Sequence, residues 1–216
     1  MILAMALLLT GVDHILLGVP DLPSGMKAFE QATGVKPVYG GKHPGRGTEN
    51  ALVSLGDGIY LELIAPQQQP DSTNDFTRQL AALKKPTLVG WAAHTNDIAA
   101  LREKLSSDGF TVSDLRPGSR LTPAGTRLEW TTLSVDKPEI ATGPFFIQWG
   151  AKTVHPSQSS PGGCTVKSFE VTDPQSKDLS RLLNDAAVAL GPSSSDKPHM
   201  RLVVRCGERE AVFTSD

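Results

Sequence analysis

Net charge and cysteine are scarce in this chain of 216 residues. The formal net charge is -2 and the basic residues are scattered, which argues against nucleic acid or an anionic membrane surface as a partner. The two cysteines, Cys164 and Cys206, fit neither a disulfide framework nor a metal motif. We therefore predict two reduced thiols in or near strands.

The chain also lacks an apolar run of the length that crosses a bilayer. Residues 2–9 are almost wholly apolar, but no Lys or Arg precedes them, and no small-residue cleavage stretch separates them from the first predicted strand. We predict a disordered start or an extra edge strand here, with export as the alternative. The protein is accordingly predicted to be cytoplasmic, with no membrane partner.

Three short segments repeat one pattern, in which an apolar stretch runs into an aspartate and a helical period follows. The aspartates are Asp21, Asp97 and Asp173, and they stand 76 residues apart each time. Equal spacing of similar units is typical of an internally repeated architecture. The spacing also shows which positions of one unit correspond to positions of the next.

The first two repeats predict the same order of elements, β-α-β-β-β. In the first, strands are predicted at 12–19, 35–39, 51–55 and 59–64, with a helix at 24–31 and a loop at 40–48. In the second, strands are predicted at 88–94, 110–113, 127–132 and 144–149, with a helix at 98–106 and a loop at 116–126. A helix at 74–83 connects the two. After a linker at 155–163, the third repeat is truncated, with strands at 165–172, 200–206 and 211–214 and a helix at 177–189.

Four motifs resemble the glyoxalase-like domain family of the vicinal oxygen chelate superfamily: DHILLGVPDL, HPGRGTEN, GDGIYLELIA and FFIQW. The resemblance covers roughly residues 11–150. It implies an α+β fold in which tandem βαβββ modules, at 11–150, form an open barrel with a divalent metal ion in the cleft. The third, truncated βαββ module at 165–216 is predicted to be a structural lobe. It would cover a barrel edge or form a homodimer contact, because exposed sheet edges need cover.

The resemblance places metal ligands on the first and last strands of the units. These positions are His14 and Glu62 in the first unit, with Gln148 opposite Glu62 in the second. The repeat spacing sends His14 to Gly90 and Val166, neither of which can bind a metal. Nitrogen and oxygen donors of this kind suit Zn, Mn, Ni or Fe. The alternative is a metal-free polar pair, in which Glu62 accepts hydrogen bonds from His14 and Gln148.

Strand parity supports one shared polar cavity without the resemblance. Glu62 and Gln148 are each the polar residue of an otherwise apolar strand, and a buried carboxylate or amide is costly unless it is paired or bound. His94 shares a strand face with Gly90 and is predicted to lie nearer the cavity mouth. Trp130 is predicted to be a pocket wall.

The glycine-rich segment at 42–50 is a further candidate for binding a ligand. Its His43 and Arg46 would hold a carboxylate or phosphate, and Asn50 would face the ligand from the start of a strand. The alternative is a surface turn with solvated charges. His155 and His199 lie beside prolines and are predicted to be inert.

Two functions from different classes follow. The first is an enzyme in which the metal polarises adjacent oxygens of a small carbonyl, diol or thioester-like molecule and Glu62 acts as the base, giving lyase or isomerase chemistry through an enediolate. The second is a metal-free protein that sequesters a small organic ligand, as the resistance proteins of this superfamily do. A third hypothesis is that the chain is an interaction scaffold whose cavity no longer binds a ligand.

Overall fold

A computed structural model describes residues 9–136 and 140–216. The predictions made for residues 2–8 lie outside the described residues. Leu9 is buried, and its carbonyl oxygen accepts a hydrogen bond from the Val12 N–H. None of the helices in the described ranges is long and apolar enough to span a membrane.

The chain forms three successive units. The first contains β1 (Val12–Gly18), α1 (Leu22–Thr33), β2 (Val38–His43), β3 (Thr48–Ser54) and β4 (Tyr60–Pro66). After α2 (Asp75–Ala82), the second contains β5 (Thr87–His94), α3 (Ile98–Ser107), β6 (Arg116–Leu121), β7 (Arg127–Leu133) and β8 (Phe145–Trp149). After α4 (Pro156–Ser159), the third contains β9 (Cys164–Asp173), α5 (Ser176–Asp185), β10 (Ser193–Ser194), β11 (His199–Cys206) and β12 (Arg209–Thr214).

The repeated aspartates lie at or shortly after the end of the first strand of each unit, but they do not all cap helices. Asp21 accepts a hydrogen bond from the Ser24 N–H, and Asp97 accepts one from the Ala100 N–H, each at 2.9 Å. Such bonds satisfy backbone donors that the first helical turn leaves free. Asp173 is instead fully buried and accepts hydrogen bonds from Thr142 at its backbone N–H and hydroxyl.

The eight strands of the first two units form one nearly closed barrel. Their order is β2-β3-β4-β1-β5-β8-β7-β6, and the two units join through the antiparallel pair β1 and β5. The sheet curls until its two edges meet, where the Arg120 guanidinium donates a hydrogen bond to the Gly40 carbonyl oxygen. Gly41 permits this approach, because a Cβ there would collide with the Leu121 carbonyl oxygen. The α+β fold with tandem βαβββ modules is confirmed.

Two predicted loops are wrong in part, because each contains residues of a strand that forms this seam. The predicted loop at 40–48 contains the end of β2, and the predicted loop at 116–126 contains all of β6. Glycine there allows two strands to approach closely instead of making a turn. The strand predicted at 110–113 is reduced to a single bridge between Val112 and Val135.

Alternation along β1 and β4 separates the core from the barrel interior. Ile15 and Leu61 are fully buried and belong to a core cluster that includes Phe29 of α1. His14 and Glu62 point the other way and meet inside the barrel, 3.4 Å apart. The period of two therefore places polar groups inside the barrel while the helices cover its apolar outer side.

The third unit forms a separate sheet with the order β10-β9-β11-β12. It shares the core of the barrel units, with the Phe213 ring stacked on Phe29 at 5.7 Å between centroids and the Trp91 ring at the same distance from Phe169. The third repeat was predicted to be truncated, without the second strand of its unit; in the structure this strand is present as the two-residue β10.

The prediction of two reduced thiols is wrong. Cys164 and Cys206 are joined by a disulfide bond, and no cysteine is free. The reason is register: β9 and β11 are antiparallel, and their pairing sets these two residues directly opposite each other. Spacing along the chain does not reveal such a pairing.

Candidate active site

Glu62 lies at the centre of the polar interior of the barrel. Its side chain is buried, with 6% of the residue exposed. The Asn50 Nδ2 donates a hydrogen bond to Glu62 Oε1 at 2.8 Å. These two residues come from neighbouring antiparallel strands, β3 and β4. A buried carboxylate is costly unless it is paired, so the groups around Glu62 decide its chemistry.

His14 reaches Glu62 from the adjacent strand β1. Its Nε2 lies 3.4 Å from Glu62 Oε2, and its Nδ1 lies 2.6 Å from Asp13 Oδ1. The Tyr60 ring stacks on the imidazole, with centroids 4.6 Å apart and planes 20° apart. The structure therefore brings His14 and Glu62 together, whereas the predicted polar cavity shared by His14, Glu62 and Gln148 stays a prediction.

His43 approaches Glu62 from the opposite side. Its Nε2 is 3.6 Å from Glu62 Oε1 and 3.3 Å from Asn50 Nδ2, and its Nδ1 is 2.9 Å from Thr48 Oγ1. Burial lowers the pKa of His43 to about 4, against the opposing charge of Glu62. The neutral ring then donates from Nδ1 to Thr48 and presents its Nε2 lone pair towards Asn50 and Glu62.

Asn50 needs a glycine beside it to hold this position. Its Oδ1 is buried and has no hydrogen-bond partner among the described residues. A Cβ on Gly40 would collide with that oxygen, so only glycine leaves room for the amide. The sequence prediction placed Asn50 against a ligand; in the structure its Nδ2 is held by Glu62 and His43.

Asp13 and His155 form a second polar layer that the sequence reasoning missed. Asp13 is 2% exposed and lies within hydrogen-bond distance of His14, His155 and the Trp149 indole nitrogen. Burial alone would raise the pKa of Asp13, but the hydrogen bonds from His14 and His155 outweigh it and hold that pKa well below its usual range. The prediction that His155 is inert is therefore wrong as to its contacts. His199 lies 3.6 Å from Asp216.

Arg120 is a buried cation inside the barrel and was also missed. It is 4% exposed, and burial lowers the pKa of its guanidinium while the negative charge of Glu62 opposes that shift. Its alternating position on β6 was hidden because the segment read as a loop. In the sequence, this segment shows only an arginine among Gly, Ser and Leu. That composition fits a loop as well as a strand at the barrel edge.

A cavity of about 600 Å³ opens beside His43. It is lined by predicted ligand residues from both units, including Arg46, Trp130 and Gln148. The Trp130 ring lies edge-on to His43 at 6.1 Å between centroids and to Trp149 at 5.7 Å. This volume lies in the range of small-molecule sites.

Gln148, a predicted metal ligand, and His94, a predicted cavity residue, have neighbours other than those predicted. The Gln148 Oε1 accepts a hydrogen bond from the Ile98 N–H at the start of α3, and Gln148 shares its strand face with the core residue Phe146. His94 is exposed and lines a second cavity, of about 360 Å³, together with Asp13 and His155. The role of Gln148 as a metal ligand stays a prediction.

The turn of the glycine-rich segment is closed by a residue of the connector. Asp71 accepts hydrogen bonds from the Gly45 N–H at 2.7 Å and the Gly47 N–H at 2.9 Å. These two backbone donors are therefore engaged, and ligand binding at this turn falls to the side chains of His43 and Arg46.

The donors around Glu62 have separations that suit a shared divalent ion. Within residues 9–136 and 140–216, no group of three or more His, Cys, Asp or Glu side chains forms a ready metal site. Nitrogen and oxygen ligands about 2.1 Å from a tetrahedral ion nevertheless lie about 3.4 Å apart. The distances from His14 Nε2 to Glu62 Oε2 and from His43 Nε2 to Glu62 Oε1, 3.4 and 3.6 Å, are each close to that value, although they run to different oxygens of the carboxylate. Both rings are also held at Nδ1, which is typical of histidines that bind metals through Nε2.

Comparisons with known proteins agree with this architecture. A family model described as a glyoxalase-like domain matches residues 12–187, which extends beyond the predicted 11–150 to the end of α5. A hypothetical protein from Staphylococcus aureus shares 19% identity, with a TM-score of 0.61, over 94% of this chain and 84% of that chain. Methylmalonyl-CoA epimerase from Mycobacterium tuberculosis shares 22% identity, with a TM-score of 0.45, over 67% and 91%. No curated protein matches.

The likeness to the Staphylococcus aureus protein shows the fold alone, and the epimerase score is too low to carry an argument. The family match is different, because it covers most of the chain and both full βαβββ units. The chain belongs to the glyoxalase-like domain family.

Proposed function

We propose that this protein is a metal-assisted lyase or isomerase that acts on a small oxygenated organic molecule, with Glu62 as the base. One observation carries the proposal: a buried carboxylate lies 3.4 and 3.6 Å from two imidazole Nε2 atoms. A divalent ion (Zn, Mn, Ni or Fe) held by Glu62, His14 and His43 would supply Lewis-acid polarisation of adjacent substrate oxygens.

The chain's own residues account for the remaining steps. Glu62 would remove a proton from the carbon beside a substrate carbonyl and return it to the neighbouring position. The pKa of His43, lowered to about 4 by burial, makes its imidazole a weak base that stays neutral near pH 7, so it does not compete with Glu62 for that proton. The buried positive charge of Arg120 favours the negative charge that develops on the substrate.

Substrate orientation is assigned to the cavity beside His43. Arg46 lines it and would hold a substrate carboxylate or phosphate, while Trp130 forms an apolar wall. His94 lies on the second cavity and would contact only a ligand that extends there. The partner proposed for this protein is therefore a small molecule.

A metal-free ligand-binding protein is the second candidate. Two tryptophans, Trp130 and Trp149, line the cavity, and aromatic walls suit the sequestration of an organic ligand.

Homodimer formation and a cytoplasmic location stay predictions. The disulfide bond favours an oxidising compartment over the predicted cytoplasmic location.

Metal uptake separates the two candidates. We expect the wild-type protein, dialysed against zinc, to retain about one ion per chain by elemental mass spectrometry, as a single shared site requires. Glu62→Gln should lose the ion and remain folded, because glutamine conserves the shape of the side chain. Glu49→Gln is the matched control on β3 and should retain the ion.

Failure of the wild type to take up Zn, Mn, Ni or Fe would favour the ligand-binding protein. With metal confirmed, turnover is tested by exchange of substrate C–H protons for deuterium in a panel of 2-oxo and 2-hydroxy acids. Exchange that persists in Glu62→Gln contradicts the role of Glu62 as the base.

A further inference from the structure

Asp13 links the imidazole of His14 to a loop that lies far away in the sequence. Its Oδ1 lies 2.6 Å from His14 Nδ1. Its Oδ2 lies 3.0 Å from Trp149 Nε1 and 3.2 Å from His155 Nε2. His155 is 142 residues away in the chain, so three separate segments converge on one carboxylate.

We propose that Asp13 and His155 are positioning residues that hold His14 as the Nδ1–H tautomer and turn its Nε2 towards Glu62. This inference rests on the proposed function, because the proposed metal ion gives the orientation of His14 its use. The tautomer of His14 itself does not depend on a metal. His14 would touch the ion, whereas Asp13 and His155 act through His14.

The hydrogen-bonding chemistry supports the direction of each bond. An indole nitrogen can only donate, so Trp149 makes Asp13 Oδ2 an acceptor. The Ser157 N–H donates to His155 Nδ1, so His155 Nε2 donates to the same Asp13 oxygen, which leaves Asp13 Oδ1 to accept from His14 Nδ1. In the tautomer with its proton on Nδ1, the His14 ring presents a lone pair at Nε2, 3.4 Å from the Glu62 carboxylate.

Two groups rich in electrons do not normally face each other unless a cation or proton lies between them. The second layer thus prepares His14 to bind a cation together with Glu62. A carboxylate behind a histidine fixes both the orientation and the tautomer of a metal ligand, and its loss costs typically about 10- to 100-fold in affinity.

His155 holds Asp13 from the outer side. Its side chain is 20% exposed and lines the second cavity, whereas the side chain of Asp13 is 2% exposed. The His155 ring also packs edge-on against Tyr60 and Trp149, each at 5.5 Å between centroids. Because Tyr60 stacks on His14, the same loop supports both the carboxylate and the stacking partner of that imidazole.

The test reads the tautomer of His14 directly. Protein with nitrogen-15 histidine is compared, free of metal, as wild type, Asp13→Asn, His155→Ala and His155→Gln, by two-dimensional spectra of the ring nitrogens. The wild-type His14 should show a protonated Nδ1 and a bare Nε2. Asp13→Asn and His155→Ala should give mixed tautomers, and His155→Gln should restore the wild-type pattern, since its amide can donate to Asp13.

Zinc affinity, measured by competition with a chromophoric chelator, gives the second readout. It should fall about 10- to 100-fold in Asp13→Asn, fall less in His155→Ala and recover in His155→Gln. His199→Gln, in the third unit, is the matched control and should match the wild type in both readouts. Circular dichroism confirms that each variant is folded.

A wild-type His14 with its proton on Nε2, or an Asp13→Asn protein with an unchanged tautomer, overturns the inference. A wild type that binds no zinc contradicts the proposed function, while the tautomer spectra still decide the role of Asp13 and His155.

Discussion

Burial, more than charge, controls the protonation of His43. The residue is 8% exposed, and its neighbours Asn50 and Thr48 accommodate a neutral ring. Although Glu62 lies 3.6 Å away and favours a charged imidazole, burial lowers the pKa of His43 from 6.5 to about 4. An uncharged His43 therefore lies beside the buried Glu62 carboxylate.

This lowered pKa predicts a loss of stability in acid. As the pH falls from 6.5 towards 4, His43 takes up a proton in the unfolded chain but not in the folded protein, so the free energy of unfolding decreases. The decrease at pH 4 is about 3 kcal/mol from this residue. Urea unfolding of chelator-treated protein at about pH 7.5 and about pH 4.5 should show a steeper decline for the wild type than for His43→Gln. Equal declines would contradict the prediction.

Single residues were predictable where strand parity alone decides their position. His14 and Glu62 are polar residues in apolar strands, and alternation is enough to place both inside the barrel. Asp13 was not predictable in this way. A register irregularity between Val12 and His14 interrupts the pairing of β1 with β5, and its neighbour His155 comes from a distant loop.

At the level of elements, glycine-rich segments are where prediction and structure differ. A turn and a close strand contact both require glycine, so the composition of residues 40–48 and 116–126 fits either. In the structure, β2 and β6 meet edge to edge, and the turns are confined to the short stretches 44–47 and 123–125. The fold resolves the ambiguity because the curled sheet brings its two edges together.

The turn depends on a carboxylate of the connecting segment. Replacing Asp71 by Ala removes the acceptor for the Gly45 and Gly47 N–H groups and should destabilise the turn by about 1 kcal/mol. We expect faster amide hydrogen exchange at both glycines, measured by nuclear magnetic resonance. Asp75→Ala is the control, because Asp75 pairs with Arg78 on the exposed face of α2 and such pairs contribute little. Unchanged exchange at Gly45 and Gly47 would show that the carboxylate is not needed.

For the whole molecule, the disulfide bond fastens the third unit to itself across its central strand pair. Cys164 and Cys206 are separated by 42 residues, and a loop of that length gives about 4 kcal/mol of stabilisation through the unfolded state. The residues are buried at 3% and 5% exposure, beside the core shared with the barrel.

Reduction of the disulfide bond should therefore destabilise the protein, and the barrel site should not be the first part to unfold. We expect no free thiol in the denatured, unreduced protein by a colorimetric thiol assay. After reduction, the free energy of unfolding should fall by about 4 kcal/mol. A Cys164→Ala/Cys206→Ala variant should match the reduced wild type and be insensitive to reductant. Two reactive thiols in the unreduced protein would disprove the bond.

Sequence by itself determined the repeated units, the α+β class and the pairing of His14 with Glu62. These features depend on periodicity and on the cost of burying polar groups, which act over short stretches of chain. Only the tertiary structure decided the barrel seam at Gly40 and Arg120, the link from Asp13 to His155 and the register that joins the two cysteines. Each of these depends on how far the sheet curls and which residues its strands set opposite each other, and neither property is encoded in local spacing.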